Sequence, residues 1–139
     1  MSAAFARAAV GHTWAPRVHR VDQALVDRYA TVSGDRNPLH TDPAFAVTTH
    51  FGRTIAHGMM TLAFVSAAMQ AWTGSAWVTS GRIDVTFLAP VFPGDEVTVR
   101  GEVTSIAESG EVTVSLACTV ADRTVLAGTA TVARHGSGE

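Results

Sequence analysis

The chain has 139 residues and a formal net charge of −2, and all ten of its cationic residues are Arg. This balance gives no electrostatic reason to expect nucleic-acid binding, and the absence of Lys excludes Schiff-base chemistry and a Lys general base. Cys118 is the single cysteine, which excludes a disulfide framework and a paired-cysteine metal or redox motif.

The length is that of one domain, and we interpret residues 1–139 as a single domain whose ends, 1–11 and 134–139, are flexible tails. Arg7 interrupts the N-terminal apolar stretch, so it lacks the continuous core of a signal peptide. The longest apolar segment, residues 59–72, is too short to cross a bilayer. We therefore expect a cytoplasmic protein with no membrane partner.

The first half of the chain begins with a strand and a helix. Residues 14–21 predict the strand, and residues 22–34 carry apolar side chains at helical spacing behind Asp22, a residue type that caps helix N-termini. We expect a loop over residues 35–40, because Ser and Gly end the helix and Asn37-Pro38 favours a turn.

Two further helix starts follow. Thr41-Asp42-Pro43 predicts a short helix with Asp42 as its cap and Pro at its first position. Residues 58–72 are apolar almost all round and contain no charged residue. A surface helix would have a polar face, so we expect this helix to be enclosed.

The second half of the chain alternates between apolar and polar residues, which is typical of strands with one buried face. Short turns between these strands predict an antiparallel meander, and a sheet that curls around the apolar helix is an α+β, hot-dog-like fold. The open edges of such a sheet favour a homodimer. The strand-like stretches are 82–87, 95–106, 111–120 and 124–133.

Asp35 and His40 are the strongest candidates for chemistry, since an Asp and a His that reach one water molecule can exchange protons with it near neutral pH. Pro38 stiffens the turn between them. Their spacing is equally compatible with a structural role, in which Asp35 caps a turn and His40 donates a structural hydrogen bond.

His57-Gly58 is a second candidate site, because the first amides of a helix lack intrahelical acceptors and carry the positive end of the helix dipole. Gly58 has no side chain to keep a carbonyl oxygen from its N–H, although it could equally serve close packing alone. Ser66 faces the interior, where it either bonds back to a carbonyl one turn earlier or contacts a ligand.

Residues 29–42, YATVSGDRNPLHTD, resemble the hydratase 2 motif of the MaoC-like family of (R)-specific enoyl-CoA hydratases and (3R)-hydroxyacyl dehydratases. Residues 51–60, FGRTIAHGMM, resemble the family's second motif, and the likeness covers residues 12–134. In the first motif the match falls on Tyr29, Ser33, Gly34, Asp35, Asn37, Pro38, Leu39, His40 and Asp42.

The resemblance implies a hot-dog fold, a dimer, and reversible hydration of trans-2-enoyl thioesters to (3R)-3-hydroxyacyl thioesters. By position, Asp35 and His40 would hold the catalytic water, the Gly58 amide would bind the thioester carbonyl, and Ser66 would line the pocket. Asn37 and His57 join Gly58 and Ser66 as candidate oxyanion or substrate-binding residues. Thr54 departs from the family's usual Pro, which predicts a more mobile loop.

Three alternatives remain open beside the coenzyme A hydratase. The acyl group could be carried by acyl carrier protein, which presents the same pantetheine thioester. A hot-dog thioesterase is disfavoured, because no carboxylate occurs between Asp42 and Asp84. A non-catalytic thioester-binding subunit would be expected to lack Asp35 or His40. We expect no cofactor and no metal, although Asp35, His40, Asp42 and His57 are residue types that bind one.

Overall fold

The computed structural model describes residues 2–134. Helix α2 begins behind Asp22, whose carboxylate accepts the N–H of Leu25, and it ends at Gly34. Gly34 has a φ of 79°, a left-handed conformation that glycine adopts readily at a helix C-terminus. Both ends of α2 agree with the prediction. The helices are α1 (Ala3–Arg7), α2 (Gln23–Ser33), α3 (Pro38–Thr41), α4 (Pro43–Ala46), α5 (Gly58–Thr73) and α6 (Ser75–Ser80).

The strands form one antiparallel sheet in the order β1-β3-β4-β5-β2. The predicted meander therefore holds for β3, β4 and β5, whereas β2 pairs with β5 at one edge. Residues 88–95 form a longer connection than a hairpin requires, which allows β2 and β3 to lie apart. The strands are β1 (Arg17–Arg20), β2 (Arg82–Phe87), β3 (Glu96–Ile106), β4 (Glu111–Val120) and β5 (Arg123–Ala133).

The core lies between α5 and the sheet, and α5 packs against β3 and β4. Val65 and Met69 of α5 are fully buried there, and alternate residues of β3 and β4 are buried as well. In β4 the predicted inward face is confirmed, since Val112, Val114 and Cys118 are fully buried. The antiparallel sheet around an apolar helix is the predicted hot-dog fold.

Helix α5 is not enclosed on every side, which corrects the expectation from its composition. Met59 is 58% exposed, and Ala63 and Ala67, one and two turns further on, are exposed as well. The sheet covers only one face of the helix, so this apolar stripe faces outward in the single chain. Among residues 2–134, no helix has both the length and the apolarity to cross a membrane.

The N-terminal stretch, for which we expected a flexible tail, contains α1 and packs on the core. Phe5 is fully buried and its ring meets Trp72 edge-on at 4.9 Å between centroids. Burial of this aromatic side chain stabilises the packing of the short helix on the core. At the other end, residues 135–139 lie outside the described part of the chain. The sequence did not predict α3 or α6.

Candidate active site

Asn37 and Pro38 begin a helix, α3, where we predicted a loop. The side chain of Asn37 accepts the N–H of Leu39 at 3.0 Å, and Pro38 occupies the first helical position. A capping Asn followed by Pro is a regular helix start, so the sequence contained this signal. The consequence is that His40 lies on one turn of helix, and Asn37 acts as its cap.

Asp35 lies in the four-residue link, residues 34–37, between α2 and α3. Its N–H donates to Ser33 Oγ at 3.1 Å, and its Oδ1 accepts the N–H of Asn37 at 3.3 Å. The first bond fixes the backbone of Asp35, and the second orients its exposed carboxylate and leaves Oδ2 available to a ligand.

The ring of His40 is fixed by the loop that precedes α5. Nδ1 lies 2.8 Å from the carbonyl oxygen of Ile55. A carbonyl only accepts, so Nδ1 carries the hydrogen, and in the neutral ring Nε2 carries the lone pair. His40 therefore presents a proton acceptor at Nε2.

His57 is 2% exposed and links the other members of the site. Its Nε2 donates to the carbonyl oxygen of Asp35 at 2.9 Å. Its ring stacks on that of His40 with centroids 3.8 Å apart, and Tyr29 packs on it at 4.7 Å. Within residues 2–134, its buried Nδ1 has no hydrogen-bond partner.

Gly58 is the first residue of α5, directly after His57, so its N–H has no acceptor inside the helix. It lines an apolar pocket of about 270 Å³ together with Phe51, Ile55, Thr61 and Phe87. A Cβ on Gly58 would stand 3.1 Å from Cε1 of Phe87, closer than carbon atoms normally pack. A side chain at this position would therefore crowd Phe87 at the wall of the pocket.

Asp35, His40 and His57 each bring one potential ligand atom to within 4.8 Å of the others. Two imidazoles and a carboxylate are a donor set that suits zinc or iron. Nδ1 of His40 and Nε2 of His57 already donate to carbonyl groups, so each ring has one nitrogen left for a ligand. The same atoms suit a water molecule. Asp42, which we considered with them, instead caps α4.

Ser66 stands apart from this group, eight residues after Gly58 and thus about 12 Å further along α5. Its Oγ accepts a hydrogen bond from Trp77 Nε1 at 2.8 Å, a partner that the sequence did not predict. Since Oγ acts as acceptor there, its own hydrogen stays free to donate. The structure thus brings together Asp35, His40 and His57, whereas Gly58 follows His57 in the chain and Ser66 lies further along α5.

A model of the MaoC like domain matches residues 6–124. The chain is 44% identical over 90 residues to the (R)-specific enoyl-CoA hydratase of Aeromonas caviae, an alignment that covers 64% of this chain and 66% of that protein. It is 38% identical over 117 residues to the (R)-specific enoyl-CoA hydratase of Rhodospirillum rubrum, covering 81% and 78% of the two chains.

The fold is similar to the solved structure of the (R)-hydratase from A. caviae involved in PHA biosynthesis. The TM-score is 0.81 at 33% identity, and the superposition covers 93% of this chain and 98% of that one. The motifs at residues 29–42 and 51–60, the hot-dog sheet and the family match agree. The chain belongs to the MaoC-like domain family.

Proposed function

We propose that the protein catalyses the reversible hydration of trans-2-enoyl-CoA thioesters to (3R)-3-hydroxyacyl-CoA thioesters. The observation that carries the proposal is the convergence of Asp35, His40 and His57, the last of which directly precedes Gly58 at the start of α5. This activity is that of a hydro-lyase, and the two relatives aligned above bear the corresponding name.

In the hydration direction, Asp35 and His40 would hold one water molecule between them. The carboxylate Oδ2 and the imidazole Nε2 are both acceptors, so each takes one hydrogen of the water and its oxygen lone pair points away, towards C3 of the substrate. As the oxygen attacks C3, a proton passes to this pair. The pair then returns a proton to C2, which completes the addition of water across the double bond.

Gly58 would stabilise the negative charge that develops on the thioester oxygen during this step. Its N–H is a preorganised donor at the positive end of a 16-residue helix. The pocket that it lines is largely apolar, and apolar surroundings strengthen such an interaction. Ser66, further along α5, would donate to a polar group of the substrate.

His57 and Asn37 would position the pair and not contact the substrate. His57 fixes the backbone at Asp35 through its Nε2–H and supports the ring of His40 by stacking. Asn37 caps the helix that presents His40. This assignment differs from the expectation that both residues bind substrate.

Homodimer formation forms part of the proposal. The outward stripe of α5 is apolar, and β2 is an edge strand that ends at Phe87, which is 50% exposed. A second copy of the chain that covered the stripe and paired with β2 would bury the exposed apolar surface and satisfy the open strand edge. Light scattering during size-exclusion chromatography tests this, and a mass near 14.6 kDa would contradict it. A cytoplasmic location stays a prediction.

The decisive experiment follows loss of the conjugated-thioester absorbance of crotonyl-CoA and the configuration of the product. Wild type is expected to form the (3R) alcohol, whereas Asp35→Asn and His40→Ala should retain less than about one hundredth of the rate. An (S) product, or full activity in either variant, would contradict the proposal.

Two further arms of the same experiment test the carrier and the absence of a metal. Crotonyl-pantetheine and a crotonyl acyl carrier protein are compared with crotonyl-CoA, and a higher kcat/KM on the protein-bound substrate would reassign the carrier. Dialysis against a chelator should leave the rate unchanged, because the proposed chemistry uses only protein groups and water.

A further inference from the structure

The catalytic His40 is held from two directions by a single pair of adjacent residues. Ile55 accepts the hydrogen of its ring Nδ1. Thr54, the residue before it, is 8% exposed and donates through its Oγ1 to the side-chain Oε1 of Gln23 at 2.8 Å. Gln23 in turn donates from Nε2 to the backbone carbonyl of His40 at 2.8 Å.

The direction of these bonds follows from the groups involved. The carbonyl of His40 only accepts, so the amide nitrogen of Gln23 must face it and the amide oxygen must face Thr54. The second hydrogen of the amide goes to Oδ1 of Asp27 at 2.9 Å. The bond to the carbonyl of His40 fixes the orientation of the Gln23 amide. In this orientation the Thr54 hydroxyl is the hydrogen-bond donor to Oε1 of Gln23.

We propose that Thr54 and Gln23 form a positioning relay for His40, which fixes the backbone of α3 while Ile55 fixes the ring. The inference rests on the proposed hydratase function of the site. The presence of Thr54 where the family usually has Pro predicted a more mobile loop. The relay gives this Thr a different role, which is to position His40. A Pro at this position has no hydroxyl to donate, so the relay belongs to a chain with a hydroxyl residue there.

Thr54→Val tests the relay, because it replaces the hydroxyl with a methyl group of similar shape and leaves Oε1 of Gln23 without its donor. We expect kcat on crotonyl-CoA to fall about five- to tenfold with KM within about twofold of wild type, the effect of one hydrogen bond expressed in the transition state. Thr54→Ser keeps the hydroxyl and should restore kcat.

Gln23→Glu keeps an acceptor for Thr54 but removes the donor to His40 and places a second carboxylate beside Asp27. The loss in kcat should exceed that of Thr54→Val, and the double variant should be no slower than Gln23→Glu alone, since both act in one relay. A double variant whose losses multiply would overturn the relay.

Thr73→Val is the matched control. Thr73 is fully buried and its Oγ1 donates to the carbonyl of Met69 at 2.8 Å, so the variant loses one buried Thr hydrogen bond at the far end of α5. It should lower the melting temperature as Thr54→Val does, with kcat unchanged. An equal loss of kcat in both variants would mean general destabilisation and overturn the proposal.

Two-bond ¹H–¹⁵N NMR spectra of the imidazole rings give a readout that does not depend on turnover. The ring nitrogens of His40 should show an Nδ1–H tautomer in wild type and shift in Thr54→Val but not in Thr73→Val. A His40 signal that Thr54→Val leaves unmoved would overturn the relay. An inactive wild type with the expected NMR shifts would overturn the hydratase function and keep the relay.

Discussion

His57→Phe separates the stability of the site from its activity. Phe preserves the aromatic contacts with His40 and Tyr29, but it removes the Nε2–H bond to Asp35 and the buried Nδ1 that has no partner among residues 2–134. The lost hydrogen bond costs about 0.5–1.5 kcal/mol, while removal of an unsatisfied buried polar atom returns about 1–3 kcal/mol. Because Asp35 is exposed, water can donate a hydrogen bond to its backbone carbonyl oxygen in the variant.

The variant should therefore be as stable as wild type or up to roughly 2 kcal/mol more stable, and at the same time slower. We expect kcat on crotonyl-CoA to fall about tenfold, since the backbone that aims the Asp35 carboxylate is no longer held. His57→Gln keeps an amide donor but loses the stack, so it should be less stable and nearer to wild type in kcat. Thermal melts and initial rates measure both effects.

His19→Phe is the control for this pair. Its ring stacks on Phe64 at 4.1 Å between centroids, and its buried Nε2 has no hydrogen-bond partner in the described part of the chain. The replacement should raise stability by the same physical route without changing kcat. Wild-type kcat in His57→Phe, or a slower His57→Gln than His57→Phe, would refute the positioning role of the Nε2–H bond from His57 to Asp35.

Three further predictions concern single side chains. Gly58→Ala brings a Cβ to 3.1 Å from Phe87, whose half-exposed ring can move aside, so the variant should still fold. Its kcat/KM in the crotonyl-CoA assay should drop at least about tenfold. An unaffected kcat/KM would exclude the Gly58 amide as the oxyanion donor. Burial and, to a smaller extent, Arg17 lower the pKa of His19 below its ordinary 6.5, so below pH 6.5 the unfolded chain binds more protons than the folded chain. The free energy of unfolding, measured with urea, should therefore fall from pH 7 to pH 5. His19→Phe should make this decrease smaller, and an equally steep decrease in the variant would contradict the prediction. Burial raises the pKa of the Cys118 thiol to about 11, so a thiol reagent at pH 8 should label it only after denaturation, and rapid labelling of the native chain would contradict this.

Local signals in the sequence accounted for much of the fold. The Asp22 cap, the helix end at Gly34 and the alternation in β4 depend on signals within a few residues, and the structure contains each as predicted. Helix α3 was missed although Asn37-Pro38 carried its start, because four residues are too few to show a periodicity. The pairing of β2 with β5 was beyond prediction, since it depends on contacts between distant segments.

The candidate site divides in the same way. Residue types and spacing, with the resemblance to a known motif, identified Asp35, His40 and Gly58, and their catalytic roles stay proposals. No sequence pattern indicated that Gln23 and Thr54, 31 positions apart, share a hydrogen bond behind His40. No sequence pattern indicated either that the ring of His57 donates a hydrogen bond to the carbonyl oxygen of Asp35, 22 residues away.

The sequence by itself determined which groups are available for chemistry: one Asp and one His flanking a Pro, a helix-starting Gly, no Lys and a single Cys. The tertiary structure alone decided which nitrogen of His40 is free, because that depends on the Ile55 carbonyl brought to it from another segment. The order of residues along the chain determines which side chains are available and where helix caps form. The orientation of a side chain is set by hydrogen-bond partners that only folding brings within reach.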